Sequence, residues 1–398
     1  MRRLLFTFLT FLTFLLLATL LPGRAADAAP AGDPSTPEPD SGAVLCPPSA
    51  YAASRDDCLP LGPAQFLADM AAQGIPYPIQ PLPAYAPPTD LGNIPYQYFR
   101  VNVENAVLYF FPSLEEAMAN ETSGSSIGPG RLIYISYLNR VKNDQGVFYY
   151  LRNFSWIRGN IGSPAALPYP FQGLQFSSTP RNMFGWVLDE IKSRSAPGFN
   201  ASYTGKTYYR FIIVQVYATQ MINDYEWDLI GPDEWVEGRQ VATVTPRQNQ
   251  PVEIPAPVTR WIEINLAEQT MAVYQDNRLV FATAVSTGMP PFWTRPGPFQ
   301  IYLKKDSELM RGAFEADKSD LYYLDDVPWT MYYDESRALH GAYWHSMFGY
   351  VTSHGCVNIS LGDSRWLYDW AKEGDWVYVY DPSGNTPIDP TLYGAGAP

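Results

Sequence analysis

The sequence predicts a mainly β protein made of several domains. Its 398 residues include 28 Tyr, 20 Phe and 11 Trp but only 17% charged residues, and aromatic side chains favour strands over helices. Short runs of alternating polar and apolar residues recur from about residue 96 onward, bounded by Gly, Asn, Asp and Pro. Proline-rich stretches between these regions predict linkers. We therefore expect several β domains joined by linkers rather than a helical protein.

The first 28 residues predict an export signal. Arg2 and Arg3 precede an almost wholly apolar run at 4–21, and small residues follow at 26–28. The apolar run is long enough to cross a bilayer, so an uncleaved membrane anchor is the alternative. Either outcome predicts that the rest of the chain works outside the cytoplasm, with the anchor as its only contact with a membrane.

Residues 29–95 predict a proline-rich linker that carries a cysteine pair. Cys46 and Cys58 are twelve positions apart, and an exported pair at this spacing predicts a disulfide. A short helix is expected within 62–74, where Phe66, Leu67 and Met70 fall at helical spacing. Cys356 is then left unpaired. An unpaired thiol in an oxidising compartment indicates a chemical use.

Residues 96–245 contain a weak internal repeat. The segments 134–159 and 213–238 each show an alternating strand, a polar turn, a second strand and a Trp-x-x-Gly ending that begins at Trp156 or Trp235. Such repeats resemble SH3-like β-barrels, which in exported bacterial proteins commonly bind the wall or act as spacers. The alternative is an all-β region with no ligand of its own.

After a linker at 246–257, residues 258–383 predict a further mainly β domain, followed by a tail at 384–398. The run 261–266 alternates, and Asp276-Asn277 predicts the turn of a hairpin. Another strand is expected around 296–305. A short amphipathic helix at 364–372 and a closing strand at 376–380 complete the prediction.

The chemistry-bearing side chains are concentrated in this last domain. All three histidines of the chain, His340, His345 and His354, lie within seventeen positions of Cys356. A thiolate attacks carbonyl groups, and a nearby imidazole can take the thiol proton and return it to a leaving group. His354 would share a face with Cys356 in an extended stretch, while His340 would approach through a loop. Spacing alone does not choose between these two bases.

These residues resemble the signature of the L,D-transpeptidase catalytic domain, a β-sandwich with short helices. The resemblance covers about 258–383, and its softer elements are Val285-Ser286-Thr287-Gly288 and a turn around Thr294 in which Arg295 is an insertion. Asn358 stands where many members have arginine. The strong part is His340-Gly341-x-x-Trp344 followed by Ser353-His354-Gly355-Cys356-Val357-Asn358.

The resemblance implies a role for each matching residue. Cys356 would be the nucleophile and His340 the general base, with an ionisation near neutrality. The Gly341 carbonyl would orient the imidazole, and backbone N–H groups of Gly355 and Cys356 would stabilise the oxyanion. His354 would shape the pocket and polarise the carbonyl, and Ser353 would support the loop. The expected substrate-binding or oxyanion set is His354, Gly355, Gly341, Ser353, Asn358 and Trp344.

By this resemblance the expected reaction is exported peptidoglycan L,D-transpeptidation, which forms 3-3 cross-links in the cell wall through a cysteine thioester and needs no cofactor. Stem peptides would be both donor and acceptor, and carbapenem-type inhibitors would acylate the thiol. One alternative is an L,D-carboxypeptidase that hydrolyses the same peptides. Another is a wall-binding protein whose catalytic domain is degenerate.

Two other functions are disfavoured. The chain has a net charge of −13, whereas nucleic-acid binders carry a basic surface, so nucleic-acid binding is disfavoured. Zinc binding by the histidines and Cys356 is possible in donor chemistry, but spacings of five, nine and two match no common zinc site. His345 has no counterpart in the signature and is expected to be a surface or packing residue.

Overall fold

The computed structural model describes residues 45–55, 58–121, 124–168, 170–255, 257–313, 318 and 320–393. The expected export signal at 1–28, the first part of the expected linker at 29–44 and the last five residues of the tail lie outside the described residues. Within these ranges no helix is both long and apolar enough to cross a membrane.

The amino-terminal segment is a small disulfide-bonded unit. Cys46 and Cys58 form the disulfide that their spacing predicts, with Cα atoms 5.6 Å apart. The expected helix is present, but Phe66 is exposed, and the buried positions are Ala64, Ala68 and Met70. The elements of this segment are β1 (Leu45–Cys46), α1 (Pro48–Ala53), β2 (Leu59–Pro60), α2 (Ala64–Ala72) and β3 (Ala84–Tyr85).

The first β unit, residues 97–164, contains the first copy of the predicted repeat. A long strand turns at Asn143 into the second strand, and Gly159 then opens a short 3-10 turn. The phenyl, tyrosyl and isoleucyl side chains of these strands form their own core. Its elements are β4 (Gln97–Val101), β5 (Leu108–Tyr109), α3 (Leu114–Ala119), β6 (Ser126–Ile127), β7 (Leu132–Asn143), β8 (Gly146–Leu151), β9 (Trp156–Arg158) and β10 (Gly162–Pro164).

The second β unit, residues 183–244, repeats this order of strands. Its hairpin turns after Ile222, and Gly238 opens a 3-10 turn in the place of Gly159. The SH3-like assignment of both units stays a prediction. A connecting strand β11 (Leu174–Phe176) precedes the unit, which contains β12 (Met183–Val187), β13 (Ile191–Arg194), β14 (Tyr203–Tyr208), β15 (Ile213–Val216), β16 (Ala218–Ile222), β17 (Tyr225–Gly231), β18 (Glu234–Glu237) and β19 (Val241–Val244).

The C-terminal β domain, residues 260–380, begins with the expected hairpin. The region expected to form one strand around 296–305 forms two, and the helix starts at Leu361, three residues earlier than expected, because Ser360 caps its first turn. Its elements are β20 (Arg260–Asn265), β21 (Thr270–Gln275), β22 (Arg278–Ala284), β23 (Gly297–Gln300), β24 (Leu303–Gly312), β25 (Tyr322–Asp334), β26 (Arg337–Gly341), β27 (Val357–Ile359), α4 (Leu361–Trp370) and β28 (Trp376–Tyr380).

A seven-stranded sheet forms the middle of this domain, in the order β23-β28-β20-β21-β22-β11-β3. The alternating run at 261–266 forms β20, whose four central residues are all buried. Trp261 packs into the core on one side of the sheet, and Ile262 and Ile264 pack into the core on the other. Glu263 is also buried and accepts a hydrogen bond from the Trp261 indole at 3.0 Å. Both faces are covered by other parts of the chain.

A second sheet joins the first β unit to the C-terminal β domain. Its main path is β10-β4-β7-β25-β26-β27, and β7 pairs in parallel with β25 through the register Leu132↔Tyr322 to Tyr134↔Leu324. Strands from either side of the expected linker therefore share one sheet. The mainly β class is confirmed, but the two regions share hydrogen-bonded backbone.

Candidate active site

Cys356 lies where a bent loop enters β27. Gly355 before it has a φ of +118°, a conformation that favours glycine, so the stretch around the thiol is not extended as expected. The side chain is partly exposed and is the free thiol of the described residues. Its Sγ donates a weak hydrogen bond to the Ser336 carbonyl at 3.7 Å. The thiol is thus held at the edge of the sheet.

His340 reaches the same place from β26, which runs parallel to β27. The register pairs His340 with Asn358, two residues after the cysteine. Its Nδ1 lies 3.3 Å from the Gly341 carbonyl oxygen, and because a carbonyl only accepts, Nδ1 carries the proton. Nε2 is therefore the basic nitrogen. Burial lowers the pKa of His340 to about 4, so the ring is neutral at pH 7.

His354 lies between two aromatic rings rather than beside the sulfur on an extended strand. Its ring stacks on Tyr322 at 5.5 Å between centroids, and Phe292 lies 5.1 Å away on a tilted plane. Burial lowers the pKa of His354 as well, while Asp320 acts in the opposite direction. The histidine therefore forms part of the wall around the thiol.

Hydroxyl groups hold the loop in its bent form. Ser353 Oγ accepts from the Gly355 N–H at 3.1 Å and donates to the Cys356 carbonyl at 2.5 Å. Thr294 Oγ1 donates to the Gly355 carbonyl at 2.8 Å and accepts from the Gly288 N–H at 2.9 Å. The residues that resemble the softer family elements thus lie directly behind the thiol.

His345 has a role that the sequence does not reveal. Its Nδ1 accepts from the Met347 N–H at 3.0 Å, and its Nε2 lies 2.8 Å from the amide nitrogen of Asn358. Burial lowers the pKa of His345 to about 4, which keeps this arrangement intact at neutral pH. His345 therefore orients Asn358 at the rim of the site.

A small cavity of about 50 Å³ joins these residues. It brings together most of the residues expected from the signature, and Trp344 lies with its ring 5.7 Å from that of His340. Gly341 and Gly355 contribute backbone nearby. The lining residues are Leu132, Met310, Tyr322, Leu324, His340, Trp344, Ser353, His354, Cys356 and Asn358.

Four of these residues were missed by sequence reasoning. Leu132 comes from the first β unit, and Met310, Tyr322 and Leu324 come from β24 and β25. No local pattern marks them, because they approach the thiol only through sheet pairing. Burial raises the pKa of Tyr322, so its hydroxyl stays protonated.

Opposing effects set the charge of the thiol. Burial raises the pKa of Cys356, whereas the Ala338 backbone N–H and the Arg337 guanidinium lower it. With a neutral His340, the resting pair is therefore thiol and imidazole. Such a pair supports attack by the sulfur with proton transfer to Nε2. In the described part of the chain, no group of three or more His, Cys, Asp or Glu side chains is placed to hold a metal ion.

Comparison with known proteins agrees with the resemblance seen in the sequence. Residues 259–379 match the model of the YkuD family, the L,D-transpeptidase catalytic domain. A stretch of 67 residues is 39% identical to L,D-transpeptidase 2 of Mycobacterium tuberculosis, covering 16% of this chain and 16% of that protein. The chain thus spans only a small part of this curated relative.

Two solved structures are also similar. An L,D-transpeptidase from Stackebrandtia nassauensis is 29% identical, with 33% of this chain and 59% of that chain covered and a TM-score of 0.26. The catalytic domain of the E. faecium L,D-transpeptidase is 24% identical, with 31% of this chain and all of that chain covered and a TM-score of 0.27. The expected resemblance to the L,D-transpeptidase catalytic domain is confirmed by the family match over residues 259–379.

Proposed function

We propose that this protein is an exported L,D-transpeptidase that forms 3-3 cross-links in peptidoglycan through a thioester on Cys356. The observation that carries the proposal is the state of His340. Its Nδ1–H donates to the Gly341 carbonyl, so Nε2 is the basic nitrogen. His340 lines the same cavity as the Cys356 thiol. A nucleophile, a neutral base and a group that orients the base are the parts that acyl transfer requires.

The proposed first half-reaction breaks the bond between the third residue and the terminal D-Ala of a stem tetrapeptide. Cys356 Sγ attacks the carbonyl carbon of the third residue while its proton passes to His340 Nε2. The tetrahedral intermediate then collapses, the C–N bond breaks, and His340 returns the proton to the amine of D-Ala. A thioester between Cys356 and the third residue remains.

The second half-reaction releases the enzyme. An amine of a neighbouring stem attacks the thioester carbonyl, His340 takes a proton from that amine, and the thiolate leaves and is reprotonated. The new amide joins two third residues. The cleaved amide is replaced by another amide, so no external energy source is needed.

One of the two expected oxyanion donors makes another hydrogen bond. The Gly355 N–H is already donated to Ser353 Oγ, so it holds the loop instead of the oxyanion. The Cys356 N–H is the donor that we assign to the developing negative charge. Loss of one such donor typically raises the barrier by about 3 kcal/mol.

A carboxypeptidase would use the same site with water as the acceptor. The choice depends on whether the acceptor amine excludes water from the thioester. A purely wall-binding role is less well supported, because the base, its orienting carbonyl and the thiol are all in place. Export rests on the amino-terminal sequence, which is of the kind that directs secretion.

Acylation by a carbapenem tests the site. Wild-type protein should gain the mass of one inhibitor molecule, Cys356→Ala should gain none, and His340→Ala should react at least about a hundredfold more slowly because a general base is worth that much. His354→Ala should be slowed less, since it loses only part of the wall. Folded wild-type protein that forms no adduct would refute the proposed chemistry.

The choice of acceptor needs a separate measurement. The enzyme is incubated with a disaccharide tetrapeptide, with and without a second stem as acceptor, and the products are identified by mass spectrometry. A dimer that has lost one D-Ala identifies the transpeptidase. Free tripeptide alone, even with acceptor in excess, identifies the carboxypeptidase.

A further inference from the structure

A buried charged cluster lies beneath the thiol and has no part in the reaction described above. The cluster consists of Arg295, Asp334, Arg337 and Tyr393. The Asp334 and Arg337 side chains are 1% and 3% exposed, and Arg295 is 29% exposed. Two guanidinium groups share one carboxylate, so the three charged side chains carry a net charge of +1. A buried net charge is costly unless a counter-charge is near.

The hydrogen bonds fix Arg337 on two sides. Its Nη1 donates to Asp334 Oδ2 at 3.1 Å, and its Nη2 donates to the Tyr393 carbonyl at 2.5 Å. The Tyr393 ring lies 5.5 Å from the guanidinium carbon. Arg295 donates to both oxygens of Asp334, through Nε at 2.9 Å and through Nη2. The tail after the domain is thus anchored at this point.

The remaining nitrogen of Arg337, Nε, faces Gly355 in the loop that leads to Cys356. Its Nε has no hydrogen-bond acceptor within the described chain. A Cβ placed on Gly355 would lie 3.4 Å from this nitrogen, so Arg337 packs directly behind the residue that precedes Cys356. The group close to Arg337 that becomes negatively charged during the proposed reaction is the Cys356 thiol, when it loses its proton.

We propose that Arg337, clamped between Asp334 and Tyr393, is a positioning residue that supplies the counter-charge for the Cys356 sulfur when its proton leaves. This inference rests on the proposed function of Cys356 and extends it. It also accounts for Arg295, the insertion in the family-like turn, because Arg295 neutralises Asp334 and leaves the charge of Arg337 available to the sulfur.

The electrostatic surroundings agree with this assignment. Arg337 lowers the pKa of Cys356 against the effect of burial. The tyrosines nearby are kept neutral by burial, since their pKa values are raised, and His340 is neutral at pH 7. The titratable and charged groups that face the thiol are Arg337 and His340 on β26, Tyr322, Tyr332 and Tyr333 on β25, and His354 on the loop before Cys356. Behind Arg337 lie Asp334 on β25 and Arg295 before β23.

Alkylation by iodoacetamide measures the charge on the sulfur without any turnover. Of the three cysteines in the chain, two form the disulfide, so only Cys356 is alkylated. The rate is followed against pH in wild type, Arg337→Met, Arg337→Lys and the exposed control Arg278→Met. Removal of the charge in Arg337→Met should raise the apparent pKa of Cys356 by about one unit and slow alkylation below that pKa about tenfold.

Charge and shape are separated by the other variants. Arg337→Lys keeps the charge, so its apparent pKa should stay within about half a unit of wild type, and Arg278→Met should not differ from wild type. Asp334→Asn removes the negative partner and should lower the apparent pKa, the opposite of Arg337→Met. This variant keeps the test decisive if Arg337→Met does not fold.

Equal shifts in Arg337→Met and Arg337→Lys, shifts of the same sign in Asp334→Asn and Arg337→Met, or no shift at all would each overturn the inference. The carbapenem adduct keeps this result apart from the proposed function. An adduct without the predicted shifts refutes the role of Arg337 alone. The predicted shifts without an adduct refute the reaction and leave the role of Arg337 standing.

Discussion

The two β units share one order of strands, yet only the first contributes to the active site. In the first unit β7 pairs with β25, and Leu132 at its start lines the cavity of Cys356. In the second unit the strands form sheets of three and five strands that are separate from the sheets of the C-terminal β domain. The second unit contacts that domain through side chains, such as Arg210, which donates to the Ser346 carbonyl at 2.9 Å.

The first unit also supports the loop that follows His340. Tyr98 stacks on Tyr343 with centroids 3.7 Å apart, and the two hydroxyls donate to the carbonyls of Asp326 and Asp325 at 2.8 and 2.7 Å. Tyr343 is three residues from the proposed base. The two units have the same strand order, and they differ in what their strands pair with. The first unit reaches the active site because β7 pairs with β25, and its own sequence pattern does not determine this.

The largest expected effect comes from removing the stacked ring. Tyr98→Ala should lower the free energy of unfolding by about 4 kcal/mol, because a fully packed aromatic side chain is lost. It should also slow carbapenem acylation, since Tyr343 loses its support. Tyr98→Phe keeps the ring and loses one hydrogen bond, so it should cost about 1 kcal/mol. Denaturant unfolding and acylation rates check both, and a Tyr98→Ala protein that acylates at the wild-type rate would break the comparison.

Two buried isoleucines, one in each β unit, test whether the first unit alone supports the active site. Ile133 in β7 and Ile191 in β13 are 1% and 3% exposed. Each change to Ala should lower the free energy of unfolding by about 3 kcal/mol. Only Ile133→Ala should also slow acylation, by about tenfold, because small displacements of reacting groups are costly. The rates are compared at a temperature where both variants are folded. Equal rates for the two variants would mean that the first unit is only a passive neighbour.

The smallest expected effect is that of pH on the base. With the pKa of His340 lowered to about 4 by burial, the base is protonated only as the pH falls toward 4. Acylation at pH 5.5 should therefore stay within about 10% of its value at pH 7, whereas an imidazole with an ordinary pKa would lose about tenfold. Stopped-flow acylation across this range decides between the two, and a tenfold loss would place His340 in a more solvated site than the fold provides.

Several local elements could be predicted from the sequence, and so could the presence of Cys356 and His340 at one site, since both line the same cavity. The hairpin at Asp276-Asn277 depends on a turn whose two central residues have φ of 53° and 58°, and Asp and Asn adopt this conformation readily. The closing strand β28 has the expected bounds. The cysteine pair forms its disulfide. In each case the residues that determine the outcome lie within a few positions of one another or belong to one continuous motif.

Only the tertiary structure decided which residues surround these groups. The burial of both faces of β20, the low pKa of His340, the entry of Leu132 into the cavity and the packing of Arg337 behind Gly355 all depend on residues far away in the chain. Local patterns are set by backbone geometry over a few residues. Burial and electrostatic effects instead depend on distance in space, and no sequence spacing encodes that distance.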